Sequence, residues 1–533
     1  MKKTAGLLCA MLCSMAAWAQ PQTPERWWAG IVSQGQSMPV LPDEHFQADP
    51  TANSYGNQVQ PLLLSDRGNV IWSEEPFGFA IADGKVETTA ASGEIIRTKA
   101  GDNLRDAYLH ASRNFFPPQG RLPDELLFAA PQYNTWIELI YNQNQRDILN
   151  YAEHIVAHGF PPGVLMIDDN WQEDYGKWDF HPGRFPDPKA LIGRLHEMGF
   201  KVMLWVCPFV SPDSDVFREL LARGAFLTEE SAAPLGNALP SETTGAAVPR
   251  IVPWWNGYSA VLDLSNPAAR EWFEAQLDRL QSEYGVDGFK FDAGDAEYYA
   301  RGSSYGGVSA NEQSRLFGET GLKYPLNEYR AMWKMGGQPL VERLRDKSHS
   351  WDDLRKLVPS MALAGLMGYA FSCPDMVGGG EFISFLEGAP LDQELIVRSA
   401  QCHALMPMMQ FSAAPWRILD AEHLAVVKKC VALRQRHADY ILAEARKSSR
   451  TGEPILRPME YAFPGQGLAS CKQQFMLGDR LLVAPVVEAG ATHHRVALPQ
   501  GRWRGFDGKR YRGPATVTVA VDLETLPYFE REK

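Results

Sequence analysis

The segment Val286-Asp-Gly-Phe-Lys-Phe-Asp-Ala-Gly294 decides the fold, because a short apolar stretch ends abruptly in an aspartate, Asp292, and a glycine. This pattern is typical of a buried parallel strand whose carboxyl end presents a carboxylate. Two other segments repeat it, Val164-Leu-Met-Ile-Asp-Asp169 upstream and Gly368-Tyr-Ala-Phe-Ser-Cys-Pro-Asp375 downstream. A lone aspartate in such a place is more often a helix cap or a turn residue. Three of them predict a cluster of carboxylates at one edge of a sheet.

Between residues 131 and 440, apolar strands alternate with amphipathic helices. Helices are predicted at 148–158, 188–198 and 267–284, and the segment 200–206 is a clear strand after the second of them. Alternation of this kind over about 300 residues is typical of βα units and predicts an α/β fold, a (β/α)₈ TIM barrel. In that fold the carboxyl ends of the strands carry the chemistry, so clustered carboxylates there indicate an acid/base enzyme.

The predicted barrel is flanked by two regions of β character. A chain of 533 residues is too long for a single core, so two or three domains are expected. Short alternating stretches in residues 20–130 predict an N-terminal β domain, and the strands at 479–487 and 515–521 predict a C-terminal β-sandwich domain over 441–533. The stretch 228–248 is rich in Ala, Gly, Pro, Ser and Thr and predicts a loop, either a lid over the site or a simple insertion.

The first 19 residues have the pattern of a secretory signal peptide. Two lysines, Lys2 and Lys3, precede an apolar run that ends in Ala17-Trp-Ala19. This arrangement predicts cleavage after Ala19 and a secreted or periplasmic protein. The run is too short to cross a bilayer comfortably, and no other run is long and apolar enough, so no membrane span is expected.

Net charge and cysteine usage exclude several classes of protein. The formal charge is −12 and becomes −14 without Lys2 and Lys3, and no basic stripe is visible. Nucleic acid is therefore not an expected partner. Five widely spaced cysteines follow residue 19, with no CxxC or Cys/His pattern, so no metal site is predicted. We expect them to be buried as small apolar residues, and a single disulfide remains open.

Several long motifs resemble glycoside hydrolase family 31, and the resemblance extends from about residue 130 to the end of the chain. The matching segments are Trp178-Asp-Phe-His-Pro-Gly-Arg-Phe-Pro-Asp-Pro188, Gly199-Phe-Lys-Val-Met-Leu-Trp-Val-Cys-Pro-Phe-Val210, Phe289-Lys-Phe-Asp-Ala-Gly294, 365–379 and 478–486. The resemblance implies a retaining α-glycosidase that needs no cofactor. Such an enzyme uses two carboxylates, a nucleophile that forms a covalent glycosyl-enzyme and an acid/base that serves both steps.

The resemblance assigns both catalytic carboxylates. Asp292 matches the nucleophile of the family. Asp346 matches the acid/base, because it lies five residues before Trp351 and ahead of an Asp-Leu-Arg helix. Without that frame, Asp346 would be interpreted as an exposed helix carboxylate. Asp352 and Asp353 are the alternatives, and we expect both of them on the helix surface.

The resemblance also implies a set of substrate-binding residues. Asp168, Arg343 and Asp375 match family residues near the bound sugar. Asp169 either also holds sugar hydroxyls or caps a loop. Lys290 either keeps Asp292 ionised or binds hydroxyl groups, and the alternative to both is a solvated surface lysine. Tryptophans suit the apolar face of a hexose, although core packing is an equal alternative for each of them. The candidates for pocket walls are Trp171, Trp205, Trp254 and Trp255.

Two departures from the family pattern bear on specificity. Family α-glucosidases carry a histidine where this chain has Gln410-Phe-Ser412, and an unpaired sugar hydroxyl is costly. Relatives that share this segment act on α-galactosides, which makes an α-galactoside the expected substrate. Asp295 stands where relatives show Glu. An α-glucoside, an α-xyloside or a sulfoquinovoside stays open, as does a non-catalytic carbohydrate-binding protein. The expected partner is an oligosaccharide or glycoside.

Overall fold

The computed structural model describes residues 25–229 and 248–532, and eight parallel strands form one sheet within them. The strands are β1 Gln132–Asn134, β2 Val164–Ile167, β3 Lys201–Val206, β4 Gly288–Phe291, β5 Leu326–Tyr329, β6 Glu342–Arg343, β7 Ser372–Cys373 and β8 Gln410–Phe411. Neighbours in the sheet are neighbours along the chain, and β8 pairs with β1. A backbone bridge between Met376 and Gln410 links the end of β7 to β8, so the predicted (β/α)₈ barrel is confirmed and nearly closed.

The register of the strands aligns their carboxyl ends. Trp205 of β3 is paired with Lys290 of β4, which in turn is paired with Glu328 of β5. β2 ends one position earlier, since Ile167 pairs with Leu204, so Asp168 follows at the level of Trp205. Side chains from four consecutive strands therefore meet at one level of the barrel.

Helices follow the barrel strands and cover the outside. Their starts are fixed by side-chain caps, for example Ser350, whose hydroxyl accepts the backbone N–H of Asp353. The last long helix continues past the predicted domain limit at residue 440 and ends where Gly452 adopts φ +74°. The helices after the first barrel strand are Trp136–Leu139, Gln145–Ala157, Pro188–Glu197, Asp215–Ala222, Pro267–Tyr284, Ala296–Tyr299, Ala310–Thr320, Trp351–Leu366, Gln393–Ala404, Pro415–Ile418 and Ala421–Thr451.

Short elements decorate the carboxyl-terminal end of the barrel. The hairpin Ile251–Trp254 and Gly257–Val261 pairs with Phe209–Val210 and stands beside the ends of β3 and β4. The other short elements at this end are the strands Gln172–Asp174, Lys177–Phe180, Thr228–Glu229, Gly302–Ser303 and Met332–Trp333 and the 3₁₀ turn Phe382–Phe385, whereas the 3₁₀ turn Gly321–Lys323 lies at the opposite end, just before β5.

The N-terminal β domain consists of two small sheets and is packed directly on the barrel. One sheet contains Trp27–Ile31, Gln58–Ser65, Asn69–Ser73 and Ile95–Lys99, and the other contains Phe46–Ala48, Phe77–Ala82 and Lys85–Ala91. Gln58 and Val59 pair in parallel with Met332 and Trp333 of the barrel, so the two domains share backbone hydrogen bonds. The 3₁₀ turn Val32–Ser37 and the helices Leu104–Phe115 and Leu126–Ala129 complete this region.

The region after the barrel is an antiparallel β domain, as predicted. Its elements are the strands Leu456–Pro458, Phe475–Leu477, Leu481–Val483, His493–Gly505, Arg510–Ala520 and Tyr528–Glu532, with a short helix Met459–Ala462. Hydrogen bonds join all six strands into one sheet instead of the two sheets of a sandwich, because His493–Gly505 pairs with both Arg510–Ala520 and Tyr528–Glu532. Val496 and Leu498 of the long hairpin share a core with Met476 and Leu482.

Several sequence predictions concern the ends and the loops of the chain. The predicted signal peptide and most of the predicted loop 228–248 lie outside the described residues. All five cysteines after residue 19 are described and are free thiols. No helix of residues 25–229 and 248–532 is both long and apolar enough to cross a bilayer.

Candidate active site

A cavity of about 760 Å³ lies at the carboxyl ends of the barrel strands, and it brings together eight of the nine predicted site residues. The N-terminal domain contributes to the same cavity through the turn that contains Ser33, Gln34 and Gln36, and through Gly56. The eight residues are Asp168, Asp169, Trp205, Trp255, Lys290, Asp292, Arg343 and Asp346.

Asp292 is held by neighbouring strands on both sides. Its Oδ1 accepts a hydrogen bond from Nε of Arg330 at 2.6 Å, and its Oδ2 accepts one from Nε1 of Trp205 at 2.9 Å. Burial by itself raises the pKa of Asp292, but Arg330, Lys290 and the hydrogen bond from Trp205 outweigh burial and hold the pKa well below its usual range. The carboxylate is therefore ionised at neutral pH, which a nucleophile requires.

Arg330 is a site residue that the sequence analysis did not identify. It follows β5 directly, donates to Asp292, and pairs with both carboxylate oxygens of Asp295. Its guanidinium carbon lies 5.0 Å from the ring centroid of Trp255. Arg330 follows its strand as directly as Asp292 does, but the strand Leu326–Tyr329 contains Asn and Glu and so lacks the apolar run that marks a strand end in the sequence. Asp295, the departure from the family pattern, thus contacts Arg330.

A buried ion pair joins β2 to β4 in the floor of the cavity. Nζ of Lys290 lies 2.8 Å from Oδ2 of Asp168, and both side chains are almost fully buried. Burial lowers the pKa of Lys290, but the charges of Asp168, Asp292 and Glu328 together outweigh burial and raise the pKa above its ordinary value. Lys290 is therefore a fixed cation beside Asp292, and the alternative of a solvated surface lysine is wrong.

Asp169 lies beside this pair in a different environment. Its Oδ2 accepts hydrogen bonds from Nδ2 of Asn256 at 2.5 Å and from the hydroxyl of Tyr175 at 3.2 Å. Burial and the neighbouring charge of Asp168 raise the pKa of Asp169 to about 7. At neutral pH this carboxyl can therefore both donate and accept hydrogen bonds, which suits a site for hydroxyl groups.

Asp346 and Arg343 form the opposite wall. Nη1 of Arg343 donates to Oδ1 of Asp346 at 2.7 Å, and 47% of the Asp346 side chain is exposed while it lines the cavity. Burial from the surrounding walls raises the pKa of Asp346, but Arg343 and Lys290 outweigh this effect and hold the pKa below its ordinary value. The second catalytic candidate is thus ionised at neutral pH.

Asp375 lies behind the wall and does not line the cavity. It is fully buried, its Oδ1 accepts from Nη1 of Arg343 at 2.6 Å, and its Oδ2 accepts from the backbone N–H of Lys347 at 2.8 Å. Burial and the charge of Asp346 raise its pKa to about 7. The prediction that Asp375 contacts sugar is not met by this geometry, because one oxygen is engaged by the side chain of Arg343 and the other by the backbone of the loop that follows Asp346.

The two alternative acid/base candidates lie at the start of the helix Trp351–Leu366. Asp352 pairs with Arg355 and is largely exposed. Asp353 reaches the edge of the cavity, contrary to the expectation of a surface position, but its oxygens are engaged by Lys356 at 2.5 Å and by the backbone N–H of Ser348 at 2.6 Å. Asp346 has more free acceptor capacity than Asp353, and Asp352 does not line the cavity.

The four tryptophan candidates divide into two pairs. Trp205 and Trp255 line the cavity, as predicted, and Trp255 is 47% exposed. Trp171 is completely buried, donates to the carbonyl of Trp205 and stacks on Trp178, so it belongs to the core. Trp254 is buried beneath Trp255, with its Nε1 donating to Ser259.

The segment that departs from the family pattern is buried beside the cavity. Nε2 of Gln410 donates to Glu328 at 2.8 Å and to Gln132 at 3.0 Å, all inside the barrel. The hydroxyl of Ser412 accepts the backbone N–H of Ile137. Neither Gln410 nor Ser412 lines the cavity, so this segment presents no hydrogen-bonding group to a ligand there.

Charges in the cavity wall are balanced. Six carboxyl groups and six cations line it, and each sign is distributed around the wall. A balanced wall favours an uncharged polar ligand over a polyanion or a polycation. Within the described part of the chain, no group of three or more His, Cys, Asp or Glu side chains is placed to hold a metal ion.

The profile described as "Glycosyl hydrolases family 31 TIM-barrel domain" matches residues 128–444, more than half of the chain. The chain belongs to glycosyl hydrolase family 31. A second profile, "Glycosyl hydrolase family 31 C-terminal domain", matches residues 452–533. The protein is therefore a glycoside hydrolase of family 31, and its cavity lies where barrels of this topology place their catalytic groups.

Relatives support the assignment over nearly the whole chain. The protein is 32% identical to the myogenesis-regulating glycosidase of Mus musculus over 94% of this chain and 74% of that protein. An α-xylosidase of Emericella nidulans is 26% identical over 94% of this chain and 64% of its own. The glucose complex of a Flavobacterium johnsoniae family 31 dextranase superimposes with a TM-score of 0.80 at 19% identity, over 95% of this chain and 65% of the dextranase. At that identity the likeness concerns the fold alone.

Proposed function

We propose that this family 31 enzyme is a retaining, exo-acting α-glycosidase whose preferred substrate is a terminal α-galactoside. The observation that carries the proposal is the placement of Asp292 and Asp346 on one cavity, each held by its own arginine. A double displacement needs one carboxylate on each side of the glycosidic bond.

The first step forms a covalent intermediate. An oxygen of Asp292 bonds to the anomeric carbon while the glycosidic bond breaks, and Asp346 gives its proton to the leaving oxygen. The cations Arg330 and Lys290 keep Asp292 ionised for this attack. Asp346 must bind a proton before the step. A glycoside that fills the cavity excludes water from the exposed side of Asp346, and that desolvation raises the pKa.

The second step releases the sugar with retention. The Asp346 carboxylate takes a proton from water, the water oxygen bonds to the anomeric carbon, and the bond to Asp292 breaks. Once Asp292 is an ester its negative charge is gone, and that charge is one of the influences that raise the pKa of Asp346. The pKa of Asp346 then falls, so the group is a carboxylate that can accept the proton of the attacking water.

The choice of galactose rests on two arguments. The segment Gln410-Phe-Ser412 replaces the histidine of family α-glucosidases, and neither of its polar residues lines the cavity. Asp168, Asp169 and Lys290 line the cavity from the ends of β2 and β4, and we assign them to the hydroxyls of the terminal sugar as one hydrogen-bonding edge. Such an edge suits a sugar whose O4 is axial and lies on the same side as O6.

The test is hydrolysis of a panel of p-nitrophenyl α-glycosides and of natural α-galactosyl oligosaccharides by the wild type and Asp292→Asn. Asp287→Asn is the matched control, because Asp287 lies at the opposite end of the same strand and holds His196 and the backbone of Val202. We expect release from the α-galactoside, lost in Asp292→Asn and kept in Asp287→Asn. Preference for an α-glucoside, α-xyloside or sulfoquinovoside would overturn the galactose choice alone, and no turnover of any α-glycoside would overturn the mechanism.

We also propose that the mature enzyme is secreted or periplasmic. The support is the signal-like sequence of residues 1–19, which lie outside the described residues. N-terminal sequencing of protein recovered from cell fractions and medium tests this proposal. A mature chain that begins at Gln20 outside the cytoplasm is expected, and an uncleaved cytoplasmic chain would contradict it.

A further inference from the structure

One side chain of the N-terminal domain contacts the backbone of both arginines that hold the catalytic carboxylates. Nδ2 of Asn57 lies 2.7 Å from the carbonyl oxygen of Arg330 and 2.9 Å from the carbonyl oxygen of Arg343. Asn57 is completely buried and does not line the cavity. It directly precedes the strand Gln58–Ser65, which pairs with the barrel.

The chemistry of this contact requires an amide. A primary amide carries two N–H donors on one nitrogen, so it can serve two carbonyl oxygens at once. Both neighbours of the Asn57 nitrogen are acceptors, which fixes the orientation of the amide. Aspartate has the same shape but no donor, and its carboxylate would face two carbonyl oxygens.

Adjacent residues add to the hold on Arg330. Nε2 of Gln58 donates to the carbonyl of Arg330 at 3.0 Å, and Nη1 of Arg330 donates to the carbonyl of Gly56 at 3.4 Å. Both the backbone and the side chain of Arg330 are thus contacted from the N-terminal domain. The carbonyl oxygen of Arg343, by contrast, accepts a hydrogen bond from Asn57 and from no other described residue of the N-terminal domain.

We propose that Asn57 is a positioning residue that keeps Asp292 and Asp346 at their working separation. The proposal rests on the function proposed above. The side chain of Arg330 lies 2.6 Å from Asp292, and that of Arg343 lies 2.7 Å from Asp346. Because Asn57 links the backbones of the two arginines, it also fixes the positions of the two carboxylates relative to each other. Attack and proton transfer depend on that separation more than substrate binding does, because both act only as the glycosidic bond breaks.

The test compares Asn57→Asp and Asn57→Ala with Gln60→Ala. Gln60 is a matched control, since it is buried as deeply within the strand that Asn57 precedes but contacts Gly336 and Tyr369 instead of the arginines. Both Asn57 variants lose the buried hydrogen bonds to the two arginine carbonyls. We therefore expect kcat to fall by about ten-fold or more, with KM within about two-fold of the wild type. Gln60→Ala is expected to lower Tm to a similar degree and to keep kcat.

Crystal structures of Asn57→Ala and the wild type supply a readout that does not depend on activity. We expect the Arg330 and Arg343 carbonyls to move apart and at least one arginine–carboxylate distance to lengthen. Arginines that keep their places in the variant would overturn the inference even if the wild type hydrolyses none of the glycosides. Variants whose kcat falls only as far as that of Gln60→Ala would overturn it as well.

Discussion

Arg330 donates its Nε–H to Oδ1 of Asp292 at 2.6 Å, across the carboxyl ends of two adjacent barrel strands. The same guanidinium pairs with Asp295 and lies against the ring of Trp255. Arg330 therefore connects the nucleophile, a neighbouring acid and the aromatic wall of the cavity. Among the cations near Asp292, it lowers the pKa of that carboxyl most.

Replacement of Arg330 by alanine should move the acidic limb of the pH–rate profile. Asp292 must be ionised to attack, and Arg330 favours the ionised form, so its removal raises the pKa of Asp292. Lys290 and Arg343 remain beside the carboxylate and limit the change. The acidic limb of kcat/KM is expected to move to higher pH, so the variant should lose activity at acidic pH values where the wild type is still active. Rates measured from pH 3 to pH 8 check this.

Two controls belong with this prediction. Arg330→Lys keeps the charge and should shift the limb less than Arg330→Ala. Arg315→Ala removes an arginine that pairs with Glu312 and Glu319 away from the cavity, and it should leave the limb in place. If the acidic limb of Arg330→Ala stayed where it is in the wild type, the pKa of Asp292 would not depend on the charge of Arg330.

Replacement of Asp346 by alanine should give an enzyme that added azide rescues. Without the acid/base, the covalent intermediate still forms from an activated aryl glycoside. Its hydrolysis becomes slow, because no residue takes a proton from the attacking water. We expect turnover to fall by about a hundred-fold or more. Azide needs no base, so it should restore turnover and yield a glycosyl azide of retained configuration.

Asp353→Ala is the matched comparison, because Asp353 reaches the same cavity but is engaged by Lys356 and Ser348. It should retain turnover and show no response to azide. Rescue of Asp353→Ala in place of Asp346→Ala would reassign the acid/base.

Truncation of Trp255 should weaken substrate binding more than it slows catalysis. The indole is a half-exposed wall of the cavity, and its large apolar face can pack against the C–H face of a sugar. For Trp255→Ala we expect KM to rise by about ten-fold while kcat changes little, as steady-state kinetics on the preferred glycoside would show.

Trp255→Phe should recover much of the loss in KM, since it keeps an aromatic face. Tyr258→Ala is the control on the same hairpin, because Tyr258 is 70% exposed and does not line the cavity. If Tyr258→Ala raised KM as much as Trp255→Ala, the effect would come from the hairpin and not from contact with sugar.

Glu342 should make the protein less stable as pH rises. It is fully buried, neither carboxylate oxygen has a hydrogen-bond partner among the described residues, and burial raises its pKa to about 8 against an ordinary 4.5. Lys347 and Arg343 oppose this rise and Glu328 adds to it. Between these two pH values the unfolded chain releases the proton while the folded chain keeps it, so the free energy of unfolding falls with increasing pH.

Glu342→Met removes this penalty with little change in shape. The gain in Tm over the wild type should be small at pH 5 and should grow toward pH 8, as calorimetry at several pH values would show. Glu422→Met, on an exposed helix position, should show no such trend. A gain that is independent of pH would mean that Glu342 is paired in solution.

Much of the barrel could be predicted because its signals are local. Apolar runs of four to six residues that end in a polar residue define strands such as Val164–Ile167 and Gly288–Phe291, and amphipathic helices follow them. The residue after such a strand emerges at the catalytic end whatever its partners are. Asp168 and Asp292 could therefore be placed together before any contact was known.

Arg330, Asn57 and Asp375 show where that reasoning ends. Asn57 meets the Arg330 and Arg343 carbonyls from positions 273 and 286 residues away, and nothing near Asn57 in the sequence indicates this contact. Asp375 follows a barrel strand as Asp292 does, yet its neighbour Arg343 takes up its carboxylate behind the wall.

By itself, the sequence determined the (β/α)₈ architecture, the family and the end of the barrel where the carboxylates gather, because hydrophobic periodicity and strand-end residues are properties of short segments. Only the tertiary structure decided which of those residues face the cavity and which charges surround them. Side-chain direction, burial and pKa depend on how separate strands and two domains pack together, and that packing places residues hundreds of positions apart within hydrogen-bond distance.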